Sequence, residues 1–434
     1  MNESVIIAII GIGFLFLLLS GMWIPFAVSI AGTTYLYTLT GAAGIKAIGL
    51  VAWSSLDSFV LTAIPLFILM SEILLHSGLS QQVYNALSSL VRKLPGGLLQ
   101  TNIAGCAVFA AISGSSVATA AAIGPIALPQ LEQRGYDPRM SAGSLAAGGT
   151  LGILIPPSIA MIIYGTLTDT PIAKLFMAGI LPGLCVVIFF MTYIGVRSAL
   201  NPALAPRETA RMSLALWIRT IIELIPFILL IAVVLGSLYL GIATPTESAA
   251  IGCVISLLLA AVTGNLSLAV LEQSLINTLR ASGGVLFIVL SAFILSYAVT
   301  LGGLAQDFAA WIASLGLSRI AILIAVSIMY IVLGCLVESM AMIVITVPLL
   351  MPVLAGAGID TLWFGIVLVV LIECGQITPP FGINLFVIQS LSKGSYEDVV
   401  RGTLPYCLIQ LFSIVVFTMF PQIVTWLPAH ILTH

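Results

Sequence analysis

Runs of about twenty apolar residues, each long enough to cross a hydrocarbon core of roughly 30 Å, follow one another along nearly all of this 434-residue chain. Charged residues make up only 7% of it, against about 25% in soluble domains, so the surface cannot face water and lipid must be the solvent. The expected fold is an all-α polytopic membrane protein. A net charge of −2 gives no long-range field, and no basic run suggests nucleic acid. Six cysteines are scattered through apolar segments without CxxC or Cys/His spacing, which suits small buried hydrophobes rather than metal ligands or disulfides. The first apolar run, Val5 to Ser20, follows Asn2 and Glu3 instead of a basic region, so it is expected to be a span rather than a cleaved signal.

Gly, Pro and charge punctuation place spans near residues 5–21, 25–41 and 57–77, with a break around Gly44, Lys46 and Trp53. Residues 79–93 alternate polar and apolar side chains at helical spacing and suit an interfacial helix. Residues 94–133 are apolar but interrupted by Ser113, Gly114, Ser115 and Ser116, so each arm is too short to cross and the stretch is expected to be a re-entrant hairpin. Arg92 and Lys93 before it, and Arg134 and Arg139 after it, put both ends on the cytoplasmic side. A span at 140–165, broken by Gly152–Ser158, and another at 172–196 complete the first half, residues 1–200. A connection at 201–219, rich in arginine, is expected to be cytoplasmic. The second half, 220–434, follows the same plan: spans near 220–241, 246–264 and 281–302, an amphipathic piece at 304–317, a hairpin at 319–355, a broken span at 361–390 and a last span at 402–427. That makes about ten transmembrane helices plus two re-entrant hairpins, with both termini periplasmic.

Sliding the chain on itself until position 125 falls on position 348 sets Pro125, Pro129, Pro156, Pro157 and Pro182 on Pro348, Pro352, Pro379, Pro380 and Pro405 without a gap. Fourteen of the 67 positions from 116 to 182 are identical in this register, roughly three times what composition alone would give. Each half has an odd number of crossings, so the second enters the membrane upside down. Two inverted repeats of this kind generate inward-open and outward-open states about a central site, the architecture of a secondary transporter.

Irregular backbone in a bilayer is tolerated only where protein or a water-filled cavity satisfies it, so the interruptions locate the site. They form two repeat-related pairs: the tip Ser113–Thr119 with the break Gly152–Ser158, and the tip Gly334–Met340 with the break Gly375–Asn384. Half-helices meeting there aim N-terminal dipoles at an anion and unwound carbonyls at a cation. The hydroxyls of Ser113, Ser115, Ser116 and Thr119 supply oxygens, although Ser and Thr also serve simply to pack helices closely. Paired prolines free carbonyls upstream, at Gly152 and Ile155, hard ligands of the kind Na+ takes, with an ordinary proline kink as the alternative. Glu338 and Glu373 are ionisable groups at membrane depth, whereas Glu72 and His76 are expected to be interfacial. Histidine occurs only at His76, His430 and His434, and no Walker sequence is present. An intramembrane enzyme or an ATPase is therefore disfavoured, and tips meeting in the middle suit an occluding site better than a pore.

The stretches AISGSSVATAAAIGPIALPQLEQRGYDPRMSAGSLAAGGTLGILIPPSIAMIIYG, GCLVESMAMIVITVPLLMPVLAGAGID and ECGQITPPFGINLFV strongly resemble the large membrane subunit of tripartite ATP-independent periplasmic (TRAP) transporters, the DctM family. The resemblance implies a Na+-driven importer of a small organic acid (a C4-dicarboxylate, sialic acid or another carboxylate) in the bacterial inner membrane, working by an elevator movement. It implies one Na+ site at Ser113, Ser115, Gly152, Ile155 and Pro157, and a repeat-related Na+ site at Gly334, Gly375, Thr378 and Phe381. Substrate would lie between the tips, near Ser116, Thr150, Ser339 and Asn384, with Glu338 beside them. The implied partners are a small four-helix membrane subunit and a periplasmic substrate-binding protein, each a separate chain, with membrane lipid around them. The runner-up is a stand-alone Na+/dicarboxylate symporter that needs no binding protein.

Overall fold

The computed structural model describes residues 3–91, 93–206 and 214–431, and among these every regular element is helical. Asn2, Arg92 and His434, used in the sequence reading, and Arg207 and Arg211 of the expected 201–219 connection lie outside the described residues. The chain begins with α1 (Glu3–Leu19), α2 (Ile24–Thr40), α3 (Ala42–Leu56), a 3-10 turn at Phe59–Thr62, α4 (Ala63–His76) and the amphipathic α5 (Leu79–Val91). The first hairpin is α6 (Leu98–Ser113) and α7 (Ser116–Gln133). The first broken helix is α8 (Pro138–Leu154) with α9 (Ile159–Thr168), followed by α10 (Ile172–Leu200). Then come α11 (Leu214–Tyr239), α12 (Pro245–Val262), α13 (Leu268–Leu301) and α14 (Leu304–Ser314). The second hairpin is α15 (Arg319–Gly334) and α16 (Ser339–Gly356), the second broken helix α17 (Thr361–Gln376) with α18 (Ile383–Leu391), and the chain closes on α19 (Tyr396–Met419) and α20 (Gln422–Ile431).

The internal register seen in the sequence reappears in the helix boundaries. The register that sets Pro125 on Pro348 carries the limits of α7, Ser116 and Gln133, onto Ser339 and Gly356, the limits of α16. The same local chemistry starts the paired helices: Asp137 caps α8 by accepting the Met140 N–H at 2.8 Å, and Asp360 caps α17 by accepting the Trp363 N–H at 2.7 Å. Both proline pairs, Pro156–Pro157 and Pro379–Pro380, carry a cis bond.

One part of the pattern is not shared. In the same register 42–76 falls on 265–299, yet where the first half has α3, a break at Asp57 and Ser58, and α4, the second half has the unbroken 34-residue α13. The span expected at 281–302 therefore starts well before Ala281, at Leu268, because nothing between Leu268 and Arg280 is Gly or Pro. Likewise, 42–56 is helix rather than break, and the last expected span ends at Met419, where Pro421 cannot continue it and α20 starts anew.

Eight helical stretches among the described residues have at least 18 residues and the hydropathy to cross a membrane. Seven coincide with expected spans and the eighth is α16. The expected spans at 5–21, 25–41 and 361–390 are built of shorter helices.

Packing divides the helices into an inner and an outer group. Nearly all of α8 and α9 is buried, with α6, α7, α17, α18 and α19 around α8. In the outer group α4 packs on α12 and α13, and α13 on α2 and α3. The second arm of each hairpin runs along the second half of the other repeat's broken helix, α7 on α18 and α16 on α9, so the two repeats interlock. At the crossing of α8 and α19 the backbones touch: a methyl group added at Gly402 would overlap the Arg139 carbonyl, and one at Gly143 would overlap the Gly402 carbonyl.

Candidate functional site

The first tip is a tight turn between α6 and α7. Gly114 adopts the left-handed conformation (φ 61°), which glycine enters without steric cost, and Ser115 then caps α7. The hydroxyls of Ser113 and Thr119 lie 2.7 Å apart, and Thr119 donates to the Ser115 carbonyl at 2.8 Å. The turn is fastened to the first break by the Ile159 N–H, which donates to the Gly114 carbonyl at 3.3 Å. Gly152 faces the Ser115 carbonyl so closely that any side chain would overlap it. Gly114 in turn faces the Pro157 carbonyl.

At the break, Pro156 and Pro157 remove the N–H groups that would have reached the carbonyls of Gly152 and Ile153. The Ser158 hydroxyl donates to the Ile153 carbonyl at 2.6 Å and so replaces one of them. Gly152 has no such replacement: among the described residues no donor reaches its carbonyl. Ser113, Ser115, Gly152 and Pro157 are thus gathered at one spot. Ile155 belongs to the same break, while its side chain turns toward Gly183 of α10.

In the second half, Gly334 and Gly375 meet backbone to backbone, and a methyl on Gly334 would stand 2.7 Å from the Gly375 Cα. Thr378 lies just past them, its hydroxyl donating to the Cys374 carbonyl at 2.6 Å. The tip residue Cys335 approaches the Pro379 carbonyl at 3.7 Å, fastening tip to break as in the first half. Phe381 closes the turn and is 53% exposed.

The residues expected around substrate separate into two places. Ser116 is buried and donates to Gln376 Oε1 at 2.6 Å, a bond joining the first tip to the second break. Asn384 is fully buried, and neither end of its amide has a hydrogen-bond partner among the described residues. Thr150 accepts from Gln410 Nε2 at 2.8 Å and is enclosed between α8 and α19. Glu373, 1% exposed, is the repeat counterpart of Thr150, and neither carboxylate oxygen has a hydrogen-bond partner among the described residues.

Glu338, in contrast, opens onto a cavity of about 430 Å³ lined by both tips, through Ser113, Ser115, Glu338 and Met340, and by Trp23, Ser71, Glu72 and Arg280 of the outer helices. Its size is in the range of small-molecule sites, about 300–1,000 Å³. Glu338 is the N-cap of α16 there, accepting from the N–H groups of Met340 (2.9 Å) and Ala341 (3.3 Å) and from the Ser339 hydroxyl (2.7 Å). Removing the cap with Glu338→Ala is expected to loosen the second tip by about 1 kcal/mol, while Glu338→Asp retains most of that. Protease or hydrogen-exchange protection of residues 335–341 would check this, and equal protection in all three proteins would refute the capping role.

The sequence reading misses one lining group, Arg280, and the partners of another, Glu72. Glu72, near the end of α4 as expected, accepts from Asn277 Nδ2 at 3.0 Å and lies 3.1 Å from His76 Nε2, tying α4 to α13 at the cavity wall. Arg280 falls just outside the span expected to begin at Ala281, yet it lies within α13. A charge inside a continuous apolar helix is the signal that finds it. A larger cleft, about 800 Å³, lies between the α7–α8 turn and the α18–α19 turn, beside the surface pairs Arg139–Asp398 and Lys393–Glu132. None of the tip residues lines it, so the smaller cavity is the candidate site.

The family described as "Tripartite ATP-independent periplasmic transporter, DctM component" matches residues 11–423. The chain is 33% identical over 387 residues to the C4-dicarboxylate TRAP transporter large permease protein DctM of Pseudomonas aeruginosa, covering 88% of this chain and 90% of that one. It is 32% identical over 406 residues to the isethionate TRAP transporter permease protein DctMQ of Oleidesulfovibrio alaskensis, covering 92% of this chain and 63% of that one. Among solved structures, the YdaH transporter of Alcanivorax borkumensis superposes with a TM-score of 0.65 over 89% of this chain and 91% of that one, at 16% identity, a likeness of fold alone.

Proposed function

Because this chain belongs to the DctM component family of the tripartite ATP-independent periplasmic transporters, we propose that it is the large subunit that carries a small organic acid across the bacterial inner membrane, coupled to Na+. The observation that carries this reading is the cavity lined by two repeat-related tips, each fastened to a broken helix. The unpartnered Gly152 carbonyl beside Ser113 and Ser115 suits one Na+, and Gly334, Gly375 and Thr378 suit another; the Thr378 oxygen keeps lone pairs after donating its proton. The relatives' names cite a dicarboxylate and a sulfonate, which have an anionic head group in common. Transport would move the inner helices as a body along the outer ones, with a small four-helix membrane subunit and a periplasmic binding protein as partners and with both chain ends periplasmic.

The test is reconstitution with those two partners in proteoliposomes and measurement of labelled succinate, sialic acid and isethionate uptake under an inward Na+ gradient. Uptake that ignores the gradient sinks the coupling, and uptake of equal rate without the binding protein favours the stand-alone symporter. Thr378→Ala is expected to raise the Na+ concentration for half-maximal uptake about fivefold, the loss of roughly 1 kcal/mol of ligand energy, with normal expression. An unchanged Na+ dependence would remove Thr378 from the ion site.

A further inference from the structure

We propose that Arg280, on the outer helix α13, is the residue that gives the cavity its preference for anions, and that it does so only in the orientation in which the tips face it. The inference rests on the transport reading above for its biological meaning, but its physical basis is separate. Four charged or chargeable groups bear on this cavity: Glu72 and its neighbour His76, Glu338, and Arg280.

The acidic groups are already engaged. Glu338 accepts three hydrogen bonds from the start of α16, and Glu72 is held by Asn277 and lies against His76. Arg280 has neither a hydrogen bond nor an ion pair among the described residues. Two further helices begin at the wall, α7 after Ser115 and α9 at Ile159, and bring the positive ends of their dipoles to it, whereas the start of α16 is already taken up by Glu338. The one charge of the four left without a partner is a guanidinium, whose planar fork of donors matches a carboxylate or sulfonate in two-point contact. Two helix starts and a guanidinium without a partner among the described residues describe a place for a small organic anion.

The placement of Arg280 limits when it acts. The tips start α7 and α16, which pack on the broken helices through α18 and α9, while Arg280 lies on α13, against which α16 also packs; a movement of the tips past α13 would carry a ligand away while Arg280 remains. Its counterpart in the first repeat is Asp57, in the break between α3 and α4. The cation is therefore supplied by one half only, and the matching position in the other half has the opposite sign.

The test needs neither the natural substrate nor an ion gradient, so its failure is distinct from failure of the transport reading. Ala281, which lines the cavity beside Arg280, is replaced by cysteine in the full chain carrying Cys185→Ser and Cys335→Ser. Its modification rates are measured in membranes with a sulfonated methanethiosulfonate, a small organic anion, and with the trimethylammonium reagent of similar size. With Arg280 present the anionic reagent is expected to be favoured; Arg280→Gln should lower the anion-to-cation rate ratio about tenfold, and Arg280→Lys should restore most of it. A ratio that does not change with Arg280→Gln overturns the proposal. So does a fall in both rates together, which would mean that Arg280 only props the cavity open.

Discussion

Gly402→Ala is expected to destabilise the protein by roughly 2–3 kcal/mol or more and to abolish uptake. The added methyl would lie well inside contact distance of the Arg139 carbonyl oxygen, a backbone atom at the start of α8 that has no rotamer with which to retreat. Gly143, on the same crossing, already abuts the Gly402 carbonyl, so the two helices cannot part at one glycine without losing the other contact. Gly236→Ala in α11 is the control, since its methyl would meet nothing within 4 Å and alanine is the better helix former. Thermal midpoints in detergent, followed by size exclusion, should separate the two variants clearly. Equal midpoints for Gly402→Ala and the parent chain would mean that α8 and α19 are not in backbone contact.

Gly152→Ala should act on function more than on fold. The new methyl would overlap the Ser115 carbonyl and stand 2.7 Å from the Thr119 hydroxyl, and the first tip can relieve both by lifting away from the break. Lifting separates Ser113 and Ser115 from the Gly152 carbonyl, the group proposed to hold an ion. Na+-dependent uptake should therefore fall at least about tenfold, corresponding to roughly 1.4 kcal/mol, while the protein still purifies as a folded species. Gly148→Ala, one turn earlier, meets chiefly the Cys106 side chain and should be milder. If Gly148→Ala were the more damaging of the two for Na+ dependence, the first ion site would have to be placed elsewhere.

The sequence is most informative where a local rule of membrane folding is broken. Ser-Gly-Ser in an apolar run, and Pro-Pro in a span, are legible because hydrocarbon forbids loose backbone, and the internal repeat tells which interruptions belong together. That logic brings out Ser113, Ser115, Gly152 and Pro157, which gather at the first tip, and Gly334 with Gly375, which touch at the second. It gives no hint that Ser116 bonds Gln376 or that Thr150 bonds Gln410, because the partners in each pair lie in opposite halves of the chain and no periodicity records them. Charge misleads for a specific reason. When charged residues are used to mark where spans stop, one embedded within a helix is assigned to its edge, and Arg280, inside α13, is misplaced in this way.

The uninterrupted rod of α13 against the jointed pair α3 and α4 has a thermodynamic corollary. Two conformations related by perfect pseudo-symmetry would be degenerate, whereas a stiff wall on one side and a jointed one on the other must lift that degeneracy. The unliganded protein should then rest unequally between its two faces, with cargo and ions working against a built-in bias rather than on a level balance.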